Sequence, residues 1–176
     1  MGPHLQQQIA VVGVGNTIRS DDGAGVHALG LLRHDPRLPA GVSLIDGGSH
    51  GIELLAYLNG VSHLLLLDAV DTGAPAGALV HMAGDELRGF PGGASVHQLG
   101  IADLLATLPL ISDMPREIVL LGVQPESTDW GTALSPPVEA ALGPLVEAAI
   151  EQLARWTAKP AAGVAAQGTS PDIRLS

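Results

Sequence analysis

Four consecutive leucines, Leu64 to Leu67, run without interruption into Asp68. A strand that is apolar at every position has no polar face to offer water, so it belongs inside a sheet covered on both sides. Short apolar runs recur at Ile9 to Val14, Val42 to Ile45, Ala78 to Met82 and Ile118 to Val123, and the stretches between them carry apolar residues three and four apart. The alternation predicts an α/β chain: a single three-layer domain with a twisted, mostly parallel five-stranded sheet and helices on both faces.

The helical stretches carry their own signals. Ser20 reads as an N-cap, with Asp21 and Asp22 in the first turn and Val26, Leu29 and Leu32 on the apolar face. A short helix carries Ile52, Leu55 and Leu58, and His97 stands at the mouth of another that presents Ile101, Leu104, Leu105 and Leu108. Ser135 reads as the cap of a terminal helix opened by Pro136 and Pro137, with the stripe Val138, Leu142, Leu145, Ala149, Leu153 and Trp156 and a kink expected at Gly143-Pro144. Gly84 to Ala94 reads as loop. From Thr157 onward periodicity stops, so a folded domain over 1–156 and a disordered tail over 157–176 are expected.

Composition excludes several classes of function. The chain has 176 residues, enough for one domain, and 8 basic against 18 acidic side chains give a net charge of −10. Phosphates would be repelled, so neither a nucleic-acid partner nor an anionic membrane is expected. The absence of cysteine removes disulfides, thiol nucleophiles, cysteine-based zinc sites and iron-sulfur clusters together. Aromatic residues, at 2%, are too few for a base-stacking platform. Met1 to Gln8 carry no secretory signal and no apolar run approaches the about 20 residues that span a bilayer, so a cytoplasmic protein without membrane insertion is expected.

What remains for chemistry is oxygen and imidazole. In an open α/β sheet, sites form outside the carboxyl ends of the strands. Asn16 and the Asp21-Asp22 pair follow the first strand, Asp46 ends the second, Asp68 ends the third, and Gln124 and Glu126 follow the last. His97, reached through a long loop, completes a cluster of oxygen and nitrogen ligands at that edge, and His50 stands beside the Asp46 turn. Asp21 and Asp22 are also what a helix dipole attracts, and Asp46 before Gly47-Gly48 is also a common turn former. Asp68 is harder to explain blandly, because an ionisable group flush with a buried leucine strand costs several kcal/mol unless paired, exposed or bound to a cation. The glycines after the first strand do not make a dinucleotide fingerprint, since Ile18 stands where its third glycine belongs. Walker, Gly-x-Ser-x-Gly and His-Glu-x-x-His motifs are missing.

The segments Val12-Gly13-Val14-Gly15-Asn16 with Ser20-Asp21-Asp22-Gly23, Asp46-Gly47-Gly48, Leu67-Asp68-Ala69-Val70-Asp71, Ser95-Val96-His97-Gln98-Leu99-Gly100 and Gly122-Val123-Gln124-Pro125-Glu126-Ser127 resemble, in order, the nickel-iron hydrogenase maturation endopeptidases. The resemblance spans Ile9 to Leu153. It implies a single α/β domain and one endoproteolytic cut, aspartic-type, that removes a C-terminal extension from the hydrogenase large-subunit precursor after nickel insertion. The family's metal-contacting triad maps onto Asp22, Asp68 and His97, with Asp21 as an alternative to Asp22, and with Asn16, Asp46 and Gln124 as secondary candidates, the last two for orienting the strand that is cut.

Two carboxylates and an imidazole leave coordination positions open, and nickel is held far better by thiolates. The resemblance therefore implies nickel carried by the cysteine-rich site of the precursor and recognised by the peptidase, whose own site would also accept other divalent metals. A monomeric enzyme is expected. Two other functions use the same residues: a nickel-binding chaperone or scaffold for hydrogenase assembly that cuts nothing, and a small-molecule module in which the glycine turn accepts a ligand.

Overall fold

Strand β3 (His63–Ala69), the leucine run, is the sheet's central strand, buried from Leu64 to its end. The computed structural model describes residues 8–89, 96–111 and 114–158. On one side of β3 lie β1 (Ile9–Val14) and then β2 (Ser43–Gly48), and on the other β5 (Glu117–Val123) and then β4 (Leu79–Ala83), giving the order β2-β1-β3-β5-β4. All pairs are parallel except β4 with β5. The registers set Gly13 beside both Asp46 and Leu67, and Asp68 beside Gly122, so the parallel strands finish at a common edge.

Alternation along the strands separates two cores. Val11, Leu65, Leu67 and Leu121 face α1 (Ala24–Arg33) and α4 (Pro136–Thr157), which pack on one side with Leu32, Leu145 and Leu153. Val12, Leu64, Leu66 and Leu120 face the other side, covered by the 3-10 turn Ile52–Tyr57, the single turn α2 (Asp85–Arg88) and α3 (Val96–Ile111), through Leu54, Leu87, Ile101, Leu104 and Leu108. The result is the expected five-stranded, mostly parallel three-layer α/β domain. Burying an aliphatic side chain is worth about 1.5–3 kcal/mol, so these two layers supply the main driving force for folding.

Several local expectations change. Ser20 is not an N-cap: it lies in a 3-10 turn, Ser20–Gly23, with φ of +49°, and its hydroxyl donates to the Asp129 carbonyl at 3.0 Å. That turn precedes α1, whose buried face is Ala24, Ala28, Leu29 and Leu32, with Val26 only half-buried. β2 does not stop before the glycines but pairs with β1 as far as Gly48. The stretch covering Ile52, Leu55 and Leu58 forms a 3-10 turn, and α2 arises inside what reads as loop. Ser135 does stand at the start of α4, yet its hydroxyl donates to Asp21 rather than to the helix. Pro144 sits inside α4, where it removes the bond to the Ala140 carbonyl. The expected tail lies outside the described residues beyond Ala158. Among the described residues no helix is long and apolar enough to cross a membrane.

Candidate functional site

The carboxyl edge of β1 and β3 is closed by the start of α1. A Cβ on Gly25 would lie 2.1 Å from the Leu67 carbonyl oxygen and 2.4 Å from that of Val14, so only glycine lets the helix rest directly on the two strand ends. The preceding 3-10 turn packs against β3. This turn carries Asp22 and β3 carries Asp68, the one 2% and the other 0% exposed. The Asp22 amide donates to the Arg19 carbonyl at 3.1 Å, and Oδ1 of Asp68 accepts from the Ala69 amide at 2.8 Å. Gly15 fixes the approach of the turn: its φ is +130°, and a Cβ there would fall 1.8 Å from the Asp22 carbonyl oxygen.

Asp21, next in sequence to Asp22, has a different task. Its carboxylate accepts from the amides of Glu126 at 2.9 Å, Ser127 at 3.1 Å and Ser135 at 2.7 Å, and from the Ser135 hydroxyl at 2.7 Å. Burial pushes the Asp21 carboxyl up, but these bonds outweigh it and hold the group below its ordinary value. Such a carboxylate is a structural clamp on the segment after β5, which leaves Asp22 as the acid of the pair that remains for the candidate site. The tandem acids gave no signal for this division, because the donors come from residues more than a hundred positions away.

Asn16 is half-buried and accepts from the Ile18 amide at 3.1 Å through its side chain, shaping the turn after β1. Asp46 lies in β2, exposed, and accepts from the Gly48 amide at 3.1 Å. His50 is exposed beside Glu53, with Nε2 at 3.6 Å from its carboxylate. Gln124 is buried and organises the loop between β3 and β4: Oε1 accepts from the Thr72 amide at 2.7 Å, the Thr72 hydroxyl at 3.1 Å and the Ala74 amide at 3.3 Å, while Nε2 donates to Asp71 at 2.9 Å and the Pro125 carbonyl at 3.3 Å. The Gln124 and Gly73 bonds draw the Asp71 carboxyl below its ordinary value. Asp71 and Thr72 were missed as partners of Gln124; their only sequence signal is the turn-forming Asp71-Thr72-Gly73 directly after β3.

His97 lies in the first turn of α3, the helix that precedes β5 in the chain. The His97 side chain is outside the described residues. Among the described residues no three His, Cys, Asp or Glu side chains are grouped to hold a metal ion. Two buried carboxylates at the carboxyl edge of the sheet are of the chemical type that takes a proton from water or contributes oxygen ligands to a cation. Sequence reasoning also missed the rim beside them, where the Arg19 guanidinium lies 5.3 Å from the centre of the Trp130 ring.

Residues 26–152 match the family model described as hydrogenase maturation protease, HycI. The chain is 41% identical over 149 residues to the hydrogenase expression/formation protein HoxM of Azotobacter vinelandii, covering 83% of this chain and 72% of that protein. Over 148 residues it is 35% identical to the hydrogenase 2 maturation protease of Escherichia coli, covering 83% of this chain and 90% of that one. The solved structure of the hydrogenase maturating endopeptidase HybD from E. coli superposes with a TM-score of 0.80 at 33% identity, covering 86% of this chain and 94% of that chain. With its fold, its strand-end carboxylates and these relatives in agreement, the chain belongs to the hydrogenase maturation protease family.

Proposed function

We propose that this chain removes the C-terminal extension of the nickel-loaded large-subunit precursor of a nickel-iron hydrogenase, and that it recognises nickel on that substrate through Asp22, Asp68 and His97. The observation that supports this most is the convergence of two nearly solvent-free carboxylates, Asp22 and Asp68, at one sheet edge below the start of α1. The donor chemistry fits a metal held by the substrate: carboxylate oxygens and an imidazole complete a coordination shell, while a chain with no cysteine cannot compete for nickel with a thiolate site.

In this reading the precursor's nickel docks on the edge and fixes the scissile peptide beside it, which converts positioning into rate. Asp22 or Asp68 takes a proton from water as the oxygen attacks the peptide carbonyl, and the proton passes to the departing amine as the C–N bond breaks. The products are a shortened large subunit and a free C-terminal peptide.

The test is the mass of the nickel-loaded precursor after incubation with wild-type chain, Asp68→Asn and Asp22→Asn. Wild type is expected to shorten the precursor and both variants to leave it whole, with unchanged circular dichroism. Full cutting by both would overturn the assignment of these carboxylates, and an uncut precursor with wild type would overturn the peptidase reading itself.

A further inference from the structure

Trp130 is 75% exposed, and Ile18 beside it 52%, on loops that adjoin the Asp22 turn. The two loops are locked together. The Ser20 amide donates to the Gly131 carbonyl at 2.8 Å, and the Gly131 amide to the Ile18 carbonyl at 3.0 Å. Arg19 Nε donates to the Thr128 carbonyl at 3.0 Å, and the Ser20 hydroxyl to that of Asp129 at 3.0 Å. The Asp21 clamp then ties the same segment at Glu126, Ser127 and Ser135. A large indole is thus held out into water on a loop whose backbone is hydrogen-bonded to Ile18 and Ser20, just before Asp22.

Resting on the proposed function, and deepening it, we infer that Trp130 and Arg19 form the anchor by which the precursor is held against the Asp22 and Asp68 edge. An apolar side chain of the precursor covers the indole and a carboxylate next to it pairs with Arg19. Three features argue for that occupant. The patch adjoins the turn that carries Asp22, the edge against which the precursor is proposed to sit. Trp and Arg are the residue types that dominate binding energy when covered, and a pre-ordered loop avoids the entropy of fixing them on binding. Arg19 is a cation in a chain of net charge −10, and no described carboxylate is ion-paired with it, so the complementary charge comes from the partner.

The test measures steady-state cleavage of nickel-loaded precursor by wild type, Trp130→Ala, Trp130→Phe and Arg19→Ala, with precursor binding to each immobilised chain followed in parallel. Trp130→Ala should raise KM about tenfold or more with kcat within about twofold, and Trp130→Phe should recover most of the loss. Arg19→Ala should raise KM by a factor that shrinks as salt is added. Melting temperatures of the Trp130 variants should stay within about 2 °C of wild type, as an exposed side chain contributes little burial. An unchanged KM for Trp130→Ala, with wild type cutting normally, overturns the anchor and leaves the proposed function standing. Failure of wild type to cut overturns the proposed function, and the binding arm then decides the anchor: affinity lost in Trp130→Ala supports it, and equal or absent binding refutes it. Self-association of the chain in sedimentation velocity that disappears in Trp130→Ala would assign the patch to a second copy and refute the anchor.

Discussion

Asp21 and Asp22 are consecutive buried carboxylates in one 3-10 turn, and Asp21 is committed to holding the fold. Asp21 faces the loop after β5 and receives four donors, so Asp21→Ala leaves the amides of Glu126, Ser127 and Ser135 without their acceptor. A cost of about 3 kcal/mol or more is expected, measured as a shift in the denaturation midpoint. The Asp21 carboxyl sits below its ordinary value of 3.8 in the folded chain. Its stabilisation is therefore complete above that value and disappears as the pH drops through the lower folded one. His63 acts at milder acidity. Burial against the Trp156 ring, 5.2 Å away, holds its imidazole below the ordinary 6.5, so the unfolded chain takes up a proton first. Stability should start to fall as the pH drops through 6.5, and in His63→Gln that early decline should vanish while the carboxylate decline remains, both read from melting temperature against pH. The sequence offered Asp68 as a site acid through its place at the end of a buried strand and Asp22 through the family resemblance, whereas the fates of Asp21 and Gln124 depended on distant partners that no local pattern encodes.

Among the elements, the strands were the most legible, because continuous apolar runs have one stable home in a covered parallel sheet. β1 is found over the same residues that the apolar run marks, and β3 and β5 each begin one residue earlier. The ends were less legible where glycine is involved. Gly47 and Gly48 read as a stop, but pairing with β1 continues to Gly48 because the edge strand still finds backbone partners there. α2 is a single turn and too short to show a period. Ser20 and Ser135 have the residue type of a cap, and both hydroxyls are drawn instead into the contact between the loops after β1 and β5. Close packing at the strand ends makes Gly25 a sensitive position of the edge: Gly25→Ala places a methyl carbon against two carbonyl oxygens, 2.1 and 2.4 Å away. It should destabilise by about 3 kcal/mol or more, seen as a lowered urea midpoint. Gly15→Ala should destabilise at least as much, since its φ is +130° and the new methyl would lie 1.8 Å from the Asp22 carbonyl oxygen, and it should lower both the melting temperature and processing.

For the whole molecule, a sheet with leucine layers on both faces gives a rigid frame, and its carboxyl edge gathers the ends of β1, β2, β3 and β5. In the proposed function such a frame holds two carboxylates in place for a metal that the substrate carries. Calorimetry of the isolated chain should accordingly give a nickel Kd of about 1 μM or weaker, because oxygen and imidazole donors without thiolate leave the shell incomplete. In the function proposed above, metal on the substrate, not metal owned by the protease, licenses the cut. Mass spectrometry of one large-subunit precursor, prepared with and without nickel and incubated with this chain, measures that directly. A shortened large subunit is expected only in the nickel-loaded sample, and equal shortening of both would show that nickel does not license the cut.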